Sequence, residues 1–336
     1  MSVEQIYIQR QSMRPTARTL AFHALLLLIT LATATIAGVL FPFGSIDSMP
    51  VADPQSWPEL VDFVATLPTR YLALIGTAVH HLVTDTRYLI NGLSFSLSLL
   101  FILISHEMGH YVACRIYKVD ATLPFFIPTP PMIGPAGTFG AFIRIMSPMP
   151  SRKAVFDIGV AGPIAGFIAL IPIAIIGIAT MQPAAAAQIG IPGALVFADP
   201  LFMRLLGVVF GQDPTLGVGN PFYFAAWVGL LVTALNLIPS GQLDGGHAIY
   251  AVLGKKVHFF TGRIAFVIMT TLAIVGFIYY SSPSGFLVAV LLGIMMRVRH
   301  PDPYDQTPLD GKRTLIALAT LVIFILCFVP FPIRIN

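Results

Sequence analysis

Apolar residues along this chain gather into long blocks, and most of the charge falls between them. A helix needs roughly 20 apolar residues to traverse a hydrocarbon core about 30 Å thick. Blocks over about 20–41, 88–114, 155–180, 222–248, 259–281, 284–296 and 314–332 therefore predict seven membrane-crossing helices. The 284–296 block is short, but Arg297 and Arg299 follow it directly as a stop signal. Tyr71–Val83 is apolar for only about a dozen residues and reads as an interfacial or partly inserted helix; an eighth span there would invert everything after it. One apolar stretch does not read as a helix. Leu123–Pro150, LPFFIPTPPMIGPAGTFGAFIRIMSPMP, is broken throughout by Pro and Gly, which favours extended strands or a re-entrant hairpin. The predicted fold class is an all-α polytopic membrane protein of about seven transmembrane helices, with a membrane-associated strand-like hairpin between spans two and three.

Composition agrees: 56% of the 336 residues are hydrophobic and 10% charged, so a lipid bilayer is the expected surroundings. The net charge of +4 does not imply nucleic acid, because the basic residues lie between spans rather than on one soluble patch. They orient the chain instead. With a cytoplasmic N-terminus and seven alternating spans, fifteen Lys and Arg fall on the cytoplasmic side, Arg10, Arg14, Arg18, Arg144 and Arg299 among them. Four fall opposite, at Arg70, Arg87, Arg204 and Arg334. The outer loops 42–87 and 181–221 carry acidic residues such as Asp47, Asp53, Asp199 and Asp213 and read as solvated surface. Arg10, Arg14 and Arg18 precede the apolar run Ala21–Leu40 without a convincing cleavage site, the pattern of a retained anchor. Cys114 and Cys327 have no pairing pattern and read as small apolar residues.

The chemistry concentrates on the second block, which ends in SHEMGHYVA. His106 and His110 stand one helical turn apart, about 6 Å along the axis, so both imidazoles can reach one metal ion with Glu107 beside it. Such spacing suits zinc with an open coordination position and a carboxylate placed to take a proton from water. The plainer alternative is a set of polar groups bonded within a helix bundle, but ionisable groups at membrane depth are costly and mark function by default. A catalytic zinc usually has three protein ligands, so one must come from elsewhere. In NLIPSGQLDGGHAIY, Asp244 is the sole carboxylate between Asp213 and Asp302. His106 is nine residues from Arg115 and Asp244 eleven from Lys255, which places both about 14–16 Å from the same charge boundary. An aspartate capping a turn is the rival reading. Gly245 and Gly246 permit close backbone approach, and Pro239 breaks the helix before them.

HEMGH, followed some 130 residues later by N-x-x-P-x-x-x-L-D-G-G, resembles the site-2 protease family of intramembrane zinc metalloproteases. GTFGAFIRI and AGPIAGF extend the likeness, which is strongest to the compact branch that includes the chloroplast members. The resemblance implies Zn2+ held by His106, His110 and Asp244, Glu107 as general base, and Asn236 as a residue that positions or polarises substrate. The strand-like segment 134–145, with Gly137 and Gly140, is assigned to substrate binding by edge pairing. On this reading residues 1–336 form one membrane-embedded metalloprotease domain of the cell inner membrane, its site towards the cytoplasm. Its substrates are membrane proteins, single-span ones foremost, cut within or near their transmembrane segments in regulated intramembrane proteolysis. Two departures stand out: Gly166 occupies a position where many members have Asn, and no PDZ or CBS module is recognisable. A metal transporter or a catalytically silent helix-binding adaptor are the rival functions; a base beside the histidines and the absence of repeated halves count against the first, and the complete catalytic set counts against the second. His247 reads as an interfacial histidine, His80 and His81 lie near the opposite face, and Arg144 reads as a snorkelling anchor or a contact for substrate backbone or an anionic group.

Overall fold

In a computed structural model, residues 15–47, 55–184, 195–282, 284–298 and 302–335 are described. Arg10, Arg14, Asp53 and Arg299, which enter the charge reading, lie outside them. The protein is mostly helical: α1 (Ala17–Ala37), α2 (Trp57–Thr84), α3 (Thr86–Ile116), α4 (Arg152–Ala179), α5 (Leu201–Phe210), α6 (Pro221–Asn236), α7 (Asp244–Leu253), α8 (Lys255–Tyr280), α9 (Ser284–Met295) and α10 (Gly311–Cys327). Among the described residues, α1, α3, α4 and α8 are long and apolar enough to cross a membrane. The blocks at 284–296 and 314–332 form shorter helices, α9 and α10.

Local chemistry explains most boundaries. Thr16, Ser56, Asp85, Ser151, Asn220 and Asp310 each accept a backbone N–H at a helix start, satisfying a donor that has no partner within the helix. The 71–83 stretch lies inside the 28-residue α2, of which Leu74 and Ala78 are the buried residues. The 222–248 block is not one helix. It stops at Asn236 and restarts at Asp244, because Pro239 cannot continue the helical ladder and Gly241 takes a positive φ of 56° in the turn.

The 123–150 stretch holds an antiparallel pair, β1 (Phe125–Pro128) and β2 (Thr138–Phe142), with Phe125 opposite Phe142 and Phe126 opposite Ala141. Two further short strands, β3 (Leu195–Phe197) and β4 (Ile333–Ile335), pair antiparallel elsewhere. The β1–β2 pair leans on α1: His23 Nδ1 lies 2.9 Å from the Pro124 carbonyl, and Thr33 Oγ1 donates to the Gly137 carbonyl at 2.8 Å.

The core runs through α3, α4 and α6, where Ile102, Leu170 and Leu230 pack together with Met203 of α5. At one end of this bundle a charged network ties α10 to α3 and α4. Arg313 donates to Asp157 through Nε at 2.9 Å and Nη2 at 2.6 Å, and to the Tyr117 hydroxyl at 3.0 Å. Tyr117 in turn donates to Asp157, and Asp310 caps α10 while it pairs with Arg313. The Arg313 and Asp157 side chains are about three-quarters buried, so loss of the guanidinium leaves the Asp157 carboxylate short of its partner. Arg313→Ala is expected to destabilise the detergent-solubilised protein by about 2–3 kcal/mol in chemical unfolding. Arg87→Ala, which breaks the exposed pair with Asp85, should leave the unfolding midpoint almost unmoved.

Candidate metal centre and active site

His106, Glu107 and His110 lie on the buried part of α3, none more than 7% exposed. Asp244 opens α7, so the broken span delivers its carboxylate from the opposite side. Asp244 Oδ2 is 3.3 Å from His106 Nε2 and 3.4 Å from His110 Nε2, and the two imidazole nitrogens are 3.2 Å apart. Two neutral-capable nitrogens and a carboxylate oxygen converge within 4.8 Å, a donor set that fits a divalent metal ion with an open coordination position.

The ring of His110 is oriented from behind. Its Nδ1 lies 2.7 Å from the Ile158 carbonyl, which can only accept, so Nδ1 carries the proton and Nε2 presents its lone pair to the centre. The Asn236 amide stands 3.3 Å from His106 Nε2 at the end of α6. Glycines make the approach possible. A side chain at Gly109 would run into the Ala161 carbonyl, and one at Gly162 into the His110 ring itself. One at Gly166 would crowd His106 Cβ at 3.1 Å, and one at Gly159 would strike His247 Cβ at 2.7 Å. Spaced at three and four residues, Gly159, Gly162 and Gly166 form a single face of α4 that receives three imidazoles. The Asp244 side closes in the same manner, since any Cβ at Gly245 would meet the Leu237 carbonyl.

These groups open onto a cavity of about 670 Å3 whose wall includes His106, Glu107, His110, Asn236, Asp244, His247 and the run Ala141–Met149. That run carries the chain on from β2 and is tied to residues 120–122, with Ile145 bridged antiparallel to Ala121. Thr122 N–H donates to the Arg144 carbonyl at 3.0 Å, Arg144 N–H to Thr122 Oγ1 at 2.9 Å, and Met146 N–H to the Asp120 carbonyl at 2.8 Å. Successive residues of a strand direct their backbone groups to opposite edges, so the Ile143 and Ile145 groups point away from residues 120–122. The Ile143 backbone lies near the Glu107 carboxylate on the cavity wall, which places this second edge beside the base. Gly137 and Gly140 are not brought to the cavity. Gly137 sits at φ 75° against the α1 backbone at Thr33, because the hairpin turn docks there, and Gly140 at φ 94° faces open space. His80 and His81 lie on α2, away from the cavity wall.

The profile of Peptidase family M50 matches residues 94–276, more than half of the chain and a range that contains every residue of the cluster. The chain belongs to peptidase family M50. It is similar to the probable zinc metalloprotease EGY1, chloroplastic, of Oryza sativa subsp. japonica, 27% identical over 96% of this chain and 53% of that one. The EGY1 protein of Arabidopsis thaliana is 33% identical over 49% of this chain and 30% of its own length, and the Arabidopsis EGY2 protein 27% identical over 72% and 42%. The chain thus spans about half the length of the first of these relatives and less of the others. The likeness to site-2 proteases carried by HEMGH and LDGG is the M50 likeness.

Two parts of this M50 site escape a reading of side-chain types. The Ile158 carbonyl is backbone and leaves no trace in the sequence. The α4 glycine face does leave one, at i, i+3 and i+7 of the third apolar block, and the period of a helix would have revealed it beside AGPIAGF. Gly162→Ala is expected to displace the His110 ring and lower bound divalent metal at least tenfold in affinity, by ~1.4 kcal/mol or more, measured by elemental analysis after dialysis against a metal buffer. Gly76→Ala on α2, where a Cβ meets nothing within 4 Å, should leave metal content unchanged.

Proposed function

We propose that this M50 chain is an intramembrane zinc metalloprotease that hydrolyses peptide bonds within or near the transmembrane segments of membrane proteins. One observation carries the reading: two imidazole nitrogens and a carboxylate oxygen meet within 4.8 Å, and Glu107 lies beside them on the wall of the same cavity. His106, His110 and Asp244 would hold the zinc. Bound there, zinc supplies a Lewis acid that activates water and polarises a peptide carbonyl. Glu107 takes a proton from the attacking water and returns it to the leaving amide nitrogen as the C–N bond breaks. Asn236 holds the substrate carbonyl from the α6 end, three ångströms or so from His106.

A helical substrate keeps its carbonyls in internal hydrogen bonds and has to unwind before attack. The Ile143–Ile145 edge would receive the unwound stretch by main-chain pairing and lay it across Glu107. On this reading the pairing edge is the continuation of β2 that lines the cavity, with Gly137 and Gly140 before it in the hairpin. Residues 1–336 act as one membrane-embedded unit, with single-span proteins as substrates. The shorter apolar helices complete about seven crossings, with the β1–β2 hairpin at membrane depth between the second and third. The bias of fifteen basic residues against four supports a site on the cytoplasmic side of the inner membrane.

Glu107→Gln is expected to keep its bound zinc and to lose cleavage of membrane substrates by a factor of roughly 100 or more, read by mass spectrometry of products from purified protein in detergent. Cleavage at the parent rate would remove Glu107 from the mechanism, and zinc flux into proteoliposomes without cleavage would replace the protease by a transporter.

A further inference from the structure

The run Ala141–Met149 alternates. Phe142, Arg144 and Met146 are exposed, while Ala141, Ile143 and Ile145 are half-buried, with Ile143 and Ile145 packed on the core beneath α4. Arg144 is the one lysine or arginine among the described residues of the cavity wall. Among the described residues, nothing forms an ion pair or hydrogen bond with its guanidinium. Its backbone is meanwhile fully engaged, N–H and C=O both bonded to Thr122, so the side chain is held at a fixed register of the strand. It stands one residue from Ile143, which lines the cavity wall with Glu107.

These facts bear on which sequences the proposed protease accepts. A chain paired along the Ile143–Ile145 edge sets its own side chains beside those of its neighbour, with directly opposed residues on the same face. On the exposed face it meets Phe142, Arg144 and Met146 in turn: apolar, cationic, apolar. Arginine is never uncharged, and a guanidinium without a partner favours a carboxylate opposite it, which it can hold through two N–H groups.

We propose that Arg144 is a specificity-determining residue that selects substrates with an aspartate or glutamate in the unwound stretch, flanked by apolar residues two positions away on either side, close to the scissile bond. The inference rests on the protease reading and adds to it the class of sequence that the site prefers. Lipid phosphate is the competing anion for this guanidinium, and the test separates the two.

The full-length protein in neutral detergent is given a pooled library of single-span reporter helices, randomised at six central positions among Asp, Asn, Lys, Leu and Gly, and the cleavage products are read by mass spectrometry. Cut sequences are expected to be enriched in Asp over Asn about fivefold at one position with fixed spacing from the cut, with apolar residues two places to each side. Arg144→Gln should bring the Asp-to-Asn ratio to about one, Arg144→Lys should retain a preference, and Arg144→Glu should turn it towards Lys at that same position. Several results would overturn the proposal. Cleavage without preference in the parent protein sinks it and leaves the protease standing. An equal fall for all sequences in Arg144→Gln makes the residue structural. A dependence on phosphatidylglycerol that vanishes with Arg144, without any Asp preference, makes it a headgroup contact. If the parent cuts no reporter while holding its zinc, both this inference and the protease reading fall.

Discussion

The imidazole of His110 rests against a helix that has no side chain where the ring must go. Gly162 clears the space, and the Ile158 carbonyl, one turn earlier on α4, holds Nδ1 at 2.7 Å. Neither relation survives if α3 and α4 separate by the width of a methyl group, and Gly109 against the Ala161 carbonyl keeps them together. Small residues at a helix crossing are what allow close approach where lipid offers no hydrophobic gain for association. The polar groups are then satisfied by protein rather than left in hydrocarbon, which makes two histidines and a glutamate tolerable at that depth.

The other half of the centre depends on a helix that fails. Between Asn236 and Asp244 the chain turns through Pro239 and Gly241, and α7 restarts with Asp244 in its first turn. An unbroken span would carry Asp244 and Asn236 on a rigid register, eight residues and about 12 Å apart along the axis. The break folds that distance up, so Asn236 and Asp244 both reach His106. Gly245 and Gly246 are needed because the restarted helix lies directly on the carbonyls of Leu237 and Gly241. The glycines on either side of the centre thus perform one task, removing atoms so that backbone and imidazole can touch.

The third wall is extended rather than helical, and it is anchored at a distance from the chemistry. Thr33 and His23 hold the hairpin to α1, and residues 120–122 hold its continuation. Arg313 binds Asp157, the residue before Ile158, and so ties the far helix α10 to the same turn of α4 that orients His110. An extended segment can exist here because one edge is bonded to protein and the other opens on a polar cavity.

Read without coordinates, the chain already declares a membrane protein, since blocks of apolar residues this long have no other stable setting, and HEMGH declares a metal ligand pair, since a single helical turn links its two imidazoles. Both rest on local geometry. The pairing of Asp244 with that turn was legible only as matching depth, and helical rise fixes depth but not facing. Which part of the 123–150 stretch meets the site was beyond the sequence: Gly137 ends the hairpin turn that docks on α1 and Gly140 faces open space from within β2, whereas the wall is built by 141–149. Hairpin register, the Ile158 carbonyl and the facing of Arg144 were decided by tertiary structure, because each depends on how separate segments pack and none on the identity of the residue alone.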